Sequence, residues 1–170
     1  MRAILYLIDA NIIITAKDSY YAMDQVPEFW DWLVHQGRLG NIKIPSEIWE
    51  EVSPGPNKED PFYLWRKDKT VAEALVLDEE LNESFLHGVI KEGYQIEEPT
   101  EDDLETMRAD PFLVAYALNA ENRCVVTNEV SKPSRTGARR KLPDVCNNVS
   151  VKCYNTFQLT RLLDFSTSWR

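Results

Sequence analysis

The chain has 170 residues, enough for one domain that buries roughly 70% of the surface its unfolded form exposes. With 19 basic against 28 acidic side chains, its net charge of −9 excludes broad nucleic-acid binding driven by overall charge. Three cysteines (Cys124, Cys146, Cys153) without a C-x-x-C pair, and only His35 and His87 beside them, exclude a disulfide framework and a zinc site as expectations. The opening MRAILYLID is too short an apolar run for a signal peptide, and no 18-residue apolar stretch follows; a soluble cytoplasmic protein with no membrane partner is expected.

In chain order, AILYLI at 3–8 is the first expected strand and NIKI at 41–44 the second. Between them PEFWDWLVHQ at 27–36 reads as a helix, with Phe29, Trp30, Leu33 and Val34 as its apolar stripe. SPGPNKEDP at 53–61 is a loop by its proline and glycine content, and Thr70 to Lys91 reads as helix with a break near Asp78. DPFLVAYALNAE at 110–121 is a further helix, and RCVVT at 123–127 and VSVKCY at 149–154 complete the expected strands. Strands alternating with helices in one unit, without repeat or linker, predict a single α/β domain over 1–170. Its expected form is a three-layer α/β/α sandwich around a parallel sheet of about four to five strands.

Ligands of open parallel sheets sit outside the carboxyl ends of the strands, where the chain diverges to opposite faces. Asp9 falls there, directly after an oily strand. It reads equally as a helix N-cap or as a ligand. After NIKI comes PSEIWEEV, with Ser46 as an expected cap and Glu47, Glu50 and Glu51 in the following turns, where the helix dipole favours acids. Asp110 reads as an N-cap with Pro111 at the first helical position, which needs no catalytic role. RCVVT runs into Thr127-Asn128-Glu129, another hydroxyl and acid at a strand edge, where a solvated loop residue is the plainer reading of Glu129. Acids gathered in one crevice raise one another's pKa unless a cation neutralises them. An oxygen-only donor set without histidine or thiolate suits Mg²⁺ or Mn²⁺ better than zinc. The chemistry such a set supports is phosphodiester hydrolysis by activated water.

The ordered set LIDAN at 7–11, IPSEIWEEV at 44–52, ADPFLVAYAL at 109–118 and VVTNE at 125–129 resembles the PIN-domain nucleases, in particular the VapC-like toxin ribonucleases. The resemblance runs from the first strand to KLPDVCNNVSVKCYNTFQLTRLL and rests on the order and spacing of all four motifs. It implies a metal-dependent endoribonuclease whose catalytic and metal-holding acids are Asp9, Glu51, Asp110 and Glu129, supported by Asn11 and Thr127. Glu51 is preferred over Glu47 because it stands just before the aliphatic Val52 and six residues past Pro45. Two departures from the family stand out: Glu129 replaces the commoner Asp, and a long middle region, about residues 56–100, reads as a helical insertion or extension.

The basic run VSKPSRTGARRKLP at 130–143 carries no acid. On the resemblance, its Lys132, Arg135, Arg139 and Arg140 hold RNA phosphates beside the scissile bond; the plainer reading is a solvated loop. Trp30 and Trp49 fall in apolar helical patterns and are expected in the core, whereas Trp32 and Trp65 fit either the core or base stacking. The resemblance further implies an RNA substrate, an antitoxin protein as partner, and a homodimer. The alternative is a degenerate PIN-fold module that binds RNA or protein without cleaving. A haloacid-dehalogenase-type phosphatase also places Asp after the first strand, but it needs a second Asp two residues on, where this chain has Asn11.

Overall fold

A computed structural model describes residues 2–170. Its centre is one five-stranded sheet with every pairing parallel, in the order β3-β2-β1-β4-β5. The strands are β1 (Leu5–Ile8), β2 (Ile42–Pro45), β3 (Val76–Leu77), β4 (Arg123–Val126) and β5 (Lys152–Tyr154). Tyr6, Leu7 and Ile8 are all buried, as are Cys124, Val125 and Val126. Both sheet faces are covered, so the central strands read as continuous apolar runs rather than alternating ones.

β1 leads into α1 (Ala10–Thr15), which a π turn at Ala16–Tyr20 extends, and then α2 (Pro27–Arg38). α3 (Ser46–Glu51), α4 (Pro61–Lys67) and α5 (Lys69–Leu75) join β2 to β3. α6 (Glu83–Gly88) continues through a π turn at Val89–Gly93, and α7 (Glu101–Met107) and α8 (Asp110–Ala117) bring the chain to β4. A short 3₁₀ turn (Gly137–Arg139), α9 (Leu142–Asn148) and, after β5, α10 (Thr156–Leu162) complete it. The steps β1 to β2 to β3 travel one way along the sheet and those from β3 to β4 to β5 the other. Right-handed crossovers therefore put α2 and α5 over one face and α8 and α9 over the opposite face, which makes the α/β/α sandwich.

Three expectations about elements change. Residues 70–91 are not one interrupted helix: Val76 and Leu77 leave α5 to pair with Ile44 and Pro45 as the edge strand, and Asn82 caps a new helix by accepting from Phe85 N at 3.2 Å. The last strand begins at Lys152 rather than at residue 149, because α9 closes on a turn in which Ser150 has φ +60 and Val151 N donates to Cys146 O. The helix expected over 110–121 ends at Ala117.

The region 56–100 packs into the body of the fold, with Phe62, Val71, Ala74, Leu75, Leu77, Val89, Ile90 and Tyr94 buried in the core. Its Arg66 donates to Trp49 O and Val52 O at 3.0 and 2.8 Å and lies 4.1 Å over the Trp49 ring. A cation on those carbonyls satisfies groups that a helix end leaves open, so Arg66 holds the end of α3 on which Glu51 sits. Trp32, 1% exposed and 5.1 Å from Phe165, is core and unable to stack on a base; Trp30 and Trp49 are core as well. Trp65 is half-buried, 4.9 Å from Trp30 and 5.9 Å from Trp49. α2 packs closely on α5 at Gly37, where a Cβ would stand 2.6 Å from the Ala74 carbonyl oxygen and 2.8 Å from Leu75 Cδ2.

Candidate functional site

The sheet order reverses between β1 and β4: from β1 the chain moves toward β2, from β4 toward β5. A crevice opens where neighbouring strands send their connections to opposite faces. Ile8 pairs with Val126, so the next residues, Asp9 and Thr127, stand side by side at the mouth of that crevice.

Both are buried, at 5% and 1% exposure. Thr127 Oγ1 donates to Asp9 Oδ2 at 2.8 Å and accepts from Asn11 Nδ2 and from Glu129 N, both at 3.1 Å. A hydroxyl has one proton and two lone pairs, and all three are engaged, so its direction is fixed. Asn11 is held in turn, its Oδ1 accepting from Asn128 N at 3.0 Å. Asp9 occupies the N-cap position of α1, yet its side chain makes no cap bond and turns to Thr127.

Glu51 comes from the last residue of α3. Its Oε1 accepts from Ala109 N at 3.3 Å and pairs with Arg108 Nε at 3.4 Å, which ties the end of α3 to the start of α8. Glu47 turns elsewhere and accepts the Tyr116 hydroxyl at 3.0 Å. Ser46 is not the cap of α3: Pro45 holds that position, and the Ser46 hydroxyl donates to Glu47 at 3.2 Å. Asp110 is not the cap of α8 either. Ala109 takes that position and Asp110 opens the helix itself, one residue earlier than expected, directly after Arg108 and Ala109, with Arg108 at φ +53. A positive φ on arginine is a strained conformation stored beside the crevice. The Asp-Pro cap occurs instead at Asp60-Pro61, where Asp60 accepts from Phe62 N at 2.7 Å.

The electrostatics join these acids. Asp110 is pushed up to about 8, first by burial and then by the charges of Asp9, Glu129 and Glu51, with Arg108 opposing only weakly. Asp9 is likewise raised, by burial first, against the Thr127 hydrogen bond, and by Glu129 and Glu51. No hydrogen bond among the described residues reaches the Asp110 carboxylate. Glu129 spends one oxygen on Leu142 N at 2.7 Å, at the start of α9. Among the described residues no three His, Cys, Asp or Glu side chains stand close enough to enclose a metal ion. Cys146 lies near Asp110, but its thiol is pushed well up by Cys153 and by burial and stays protonated, a poor soft ligand. All three cysteines are free.

Asp110 and Glu129 line a cleft of about 250 Å³ whose other walls are Thr106, Arg135, Ala138, Arg139, Arg140 and Lys141. Lys132 is not among them: its backbone N donates to Asp144 Oδ2 at 2.8 Å, which folds the start of the basic run onto α9. Lys141 takes its place on the rim. Arg140 is partly engaged, donating to Tyr94 O and Gln95 Oε1 at 3.2 and 2.6 Å. Arg135 and Arg139 are exposed. Asn128, within VVTNE but assigned no role by the sequence, ties β4 to α10, its Oδ1 accepting from Thr156 Oγ1 at 2.7 Å.

No helix among the described residues is long and apolar enough to cross a membrane. The chain belongs to the family described as "Domain of unknown function (DUF4411)", which matches residues 6–167. No curated protein and no solved structure matches it.

Proposed function

We propose that this DUF4411 chain is a cytoplasmic, Mg²⁺- or Mn²⁺-dependent endoribonuclease of the PIN type. The observation that carries the reading is the gathering of the buried Asp9 and the half-buried Asp110 at a sheet switch point, each raised by burial and by neighbouring acids, beside a basic rim. Mutually repelling buried acids are destabilising unless a cation joins them, and a cleft of one sign beside a rim of the other fits a phosphodiester whose backbone needs both.

Asp9, Glu51 and Asp110 would hold the ion, with Glu129 outermost. Hard divalent ions need one or two direct carboxylates and reach the rest through water, so no cage of three acids is required. When bound, the ion supplies Lewis acidity toward water and phosphate. The chain does the positioning: Thr127, locked by Asn11 and the Glu129 amide, fixes one oxygen of Asp9 and leaves the other to the crevice. Glu51 is steered by Ala109 N and Arg108. Arg135, Arg139 and Lys141 offer charge to the phosphates flanking the scissile bond, and Arg140 forms the wall between them and the core. No side chain need act as the nucleophile.

The PIN resemblance adds a biological setting: a toxin ribonuclease restrained by an antitoxin protein and acting as a homodimer. A second reading, a degenerate PIN-type module that binds RNA or protein without cleaving, draws support from Glu129, one oxygen of which is committed to Leu142 N. Incubating the purified chain with a panel of RNAs, with and without Mn²⁺ and beside Asp9→Asn, separates the two. Mn²⁺-dependent cleavage that the variant lacks supports the enzyme; RNA binding without cleavage by the native chain supports the module.

A further inference from the structure

Two residues, Arg108 and Ala109, join α7 to α8, and the link is anchored by burial of Met107 and Ala109 on either side of Arg108. To make so short a join the chain takes φ +53 and ψ −129 at Arg108, outside the small left-handed region that side chains tolerate. Glycine reaches such a conformation without steric cost; arginine does not. A strained arginine where glycine would serve the fold better needs a reason in its side chain.

That side chain is 69% exposed, and its Nε pairs with Glu51 Oε1 at 3.4 Å. Ala109 N donates to the same oxygen at 3.3 Å, so the link holds Glu51 by one oxygen and leaves Oε2 open. Among the described residues, neither Nη group of Arg108 has a hydrogen-bond or ion-pair partner. A guanidinium anchored through Nε and solvated at both Nη nitrogens keeps the donor geometry that matches a phosphate. Glu51 follows β2 and the basic run 130–143 follows β4, with β1 and its Asp9 between them in the sheet order. Among the described residues Arg108 is the cation in contact with Glu51.

We infer that Arg108 is a phosphate-binding residue of the proposed nuclease, whose free Nη groups take an RNA backbone phosphate on the Glu51 side of the acids. The inference rests on the proposed ribonuclease reading and adds a substrate contact to that same site. The ion pair with Glu51 aims the guanidinium, and the strained link keeps the two together.

The test is the affinity of Arg108→Gln for a labelled single-stranded RNA, measured in chelator at several salt concentrations, with separate calorimetric titration by Mn²⁺ alone. Arg170→Gln is the control, since Arg170 is likewise exposed and paired with a carboxylate, Asp31 of α2. Arg108→Gln should bind RNA about tenfold more weakly and lose one phosphate contact, a salt slope shallower by about 0.7, while Arg170→Gln matches the native chain. Arg108→Gly, which accepts φ +53 freely, should do the same and keeps the test valid if the glutamine variant does not fold. Native RNA affinity and slope in the Arg108 variants, with Mn²⁺ binding alone altered, would make Arg108 a positioning residue of Glu51 and overturn the inference. Equal weakening by Arg108→Gln and Arg170→Gln would overturn it as well, because overall charge would then be the cause. Both results leave the ribonuclease reading standing; a native chain that binds neither RNA nor Mn²⁺ overturns both.

Discussion

Thr127 gives its only hydroxyl proton to Asp9, across two neighbouring strands whose residues lie 118 positions apart in the chain. The bond holds the carboxylate in place and favours its charged form, while its own direction is set by Asn11 and the Glu129 amide. Thr127→Val keeps the shape and removes the proton. It should destabilise the fold by about 1.5–3 kcal/mol, as expected for a hydrogen bond to a charged group, and reduce RNA cleavage. Thr127→Ser should restore most of both. Urea unfolding beside cleavage assays measures the pair of effects, and a Val variant of native stability and activity would remove Thr127 from the site.

Without added ion, stability should fall as pH rises. Asp9 and Asp110, raised to about 6 and about 8, keep their protons to higher pH folded than unfolded. The stability tied to those protons is fully present below about pH 4, the ordinary range of an aspartic acid, and is lost as pH climbs through 6 and then 8. Asp110→Asn should flatten the slope between about pH 6 and 8 and raise the unfolding midpoint at pH 8 by about 5 °C, equivalent to about 2 kcal/mol. Calorimetric scans across pH check this; a slope identical in the variant would mean that Asp110 is not the group responsible.

Mn²⁺ should reverse that loss. An ion bound only by the folded chain stabilises it by mass action, by about 2.7 kcal/mol at a hundred times its dissociation constant. Chelator should return the midpoint to its ion-free value and stop cleavage. Asp9→Asn should abolish both the midpoint shift and the activity while the chain stays folded; cleavage persisting in chelator would sink the proposed chemistry.

The arginines of the rim should separate by role. Arg135 and Arg139 are exposed, and replacing both with alanine should leave stability unaltered while lowering the salt dependence of RNA affinity by about two phosphate contacts. Arg140→Ala should also destabilise, because it releases Tyr94 O and Gln95. Binding titrations at several salt concentrations, with unfolding curves alongside, tell these apart. Lys132→Ala should change neither.

Gly37→Ala places a methyl group 2.6 Å from the Ala74 carbonyl oxygen, a distance that real contacts do not tolerate. α2 and α5 must separate, at about 1–3 kcal/mol. Equal unfolding midpoints for the two proteins would mean that the helices already stand farther apart.

What was legible in the sequence follows what leaves a local trace. β1, β2 and β4 are apolar runs because both faces are covered, and Asp9 shows as a lone acid after one of them. β3 leaves almost none, since two residues inside a helix-like stretch carry no period. Asp110 stands one residue inside the helix rather than at its cap, and nothing in the sequence distinguishes the strained Arg108 before it from any other arginine. The preference for Glu51 over Glu47 came from a resemblance, and the structure turns Glu51 toward Ala109 and Glu47 toward Tyr116. Lys141 and not Lys132 lines the cleft, since charge along a run does not say where Asp144 will fold it.

The acids sit on four separate stretches of chain, the first after β1 and the last after β4. A ribosome must therefore have released the segment through Glu129 before Asp9 can meet Thr127, and an aborted polypeptide ending at α7 carries Asp9 and Glu51 with no cluster to put them in. On the proposed ribonuclease reading, translation itself would then act as a safety catch: the growing chain would stay harmless to its own message until most of it has been made.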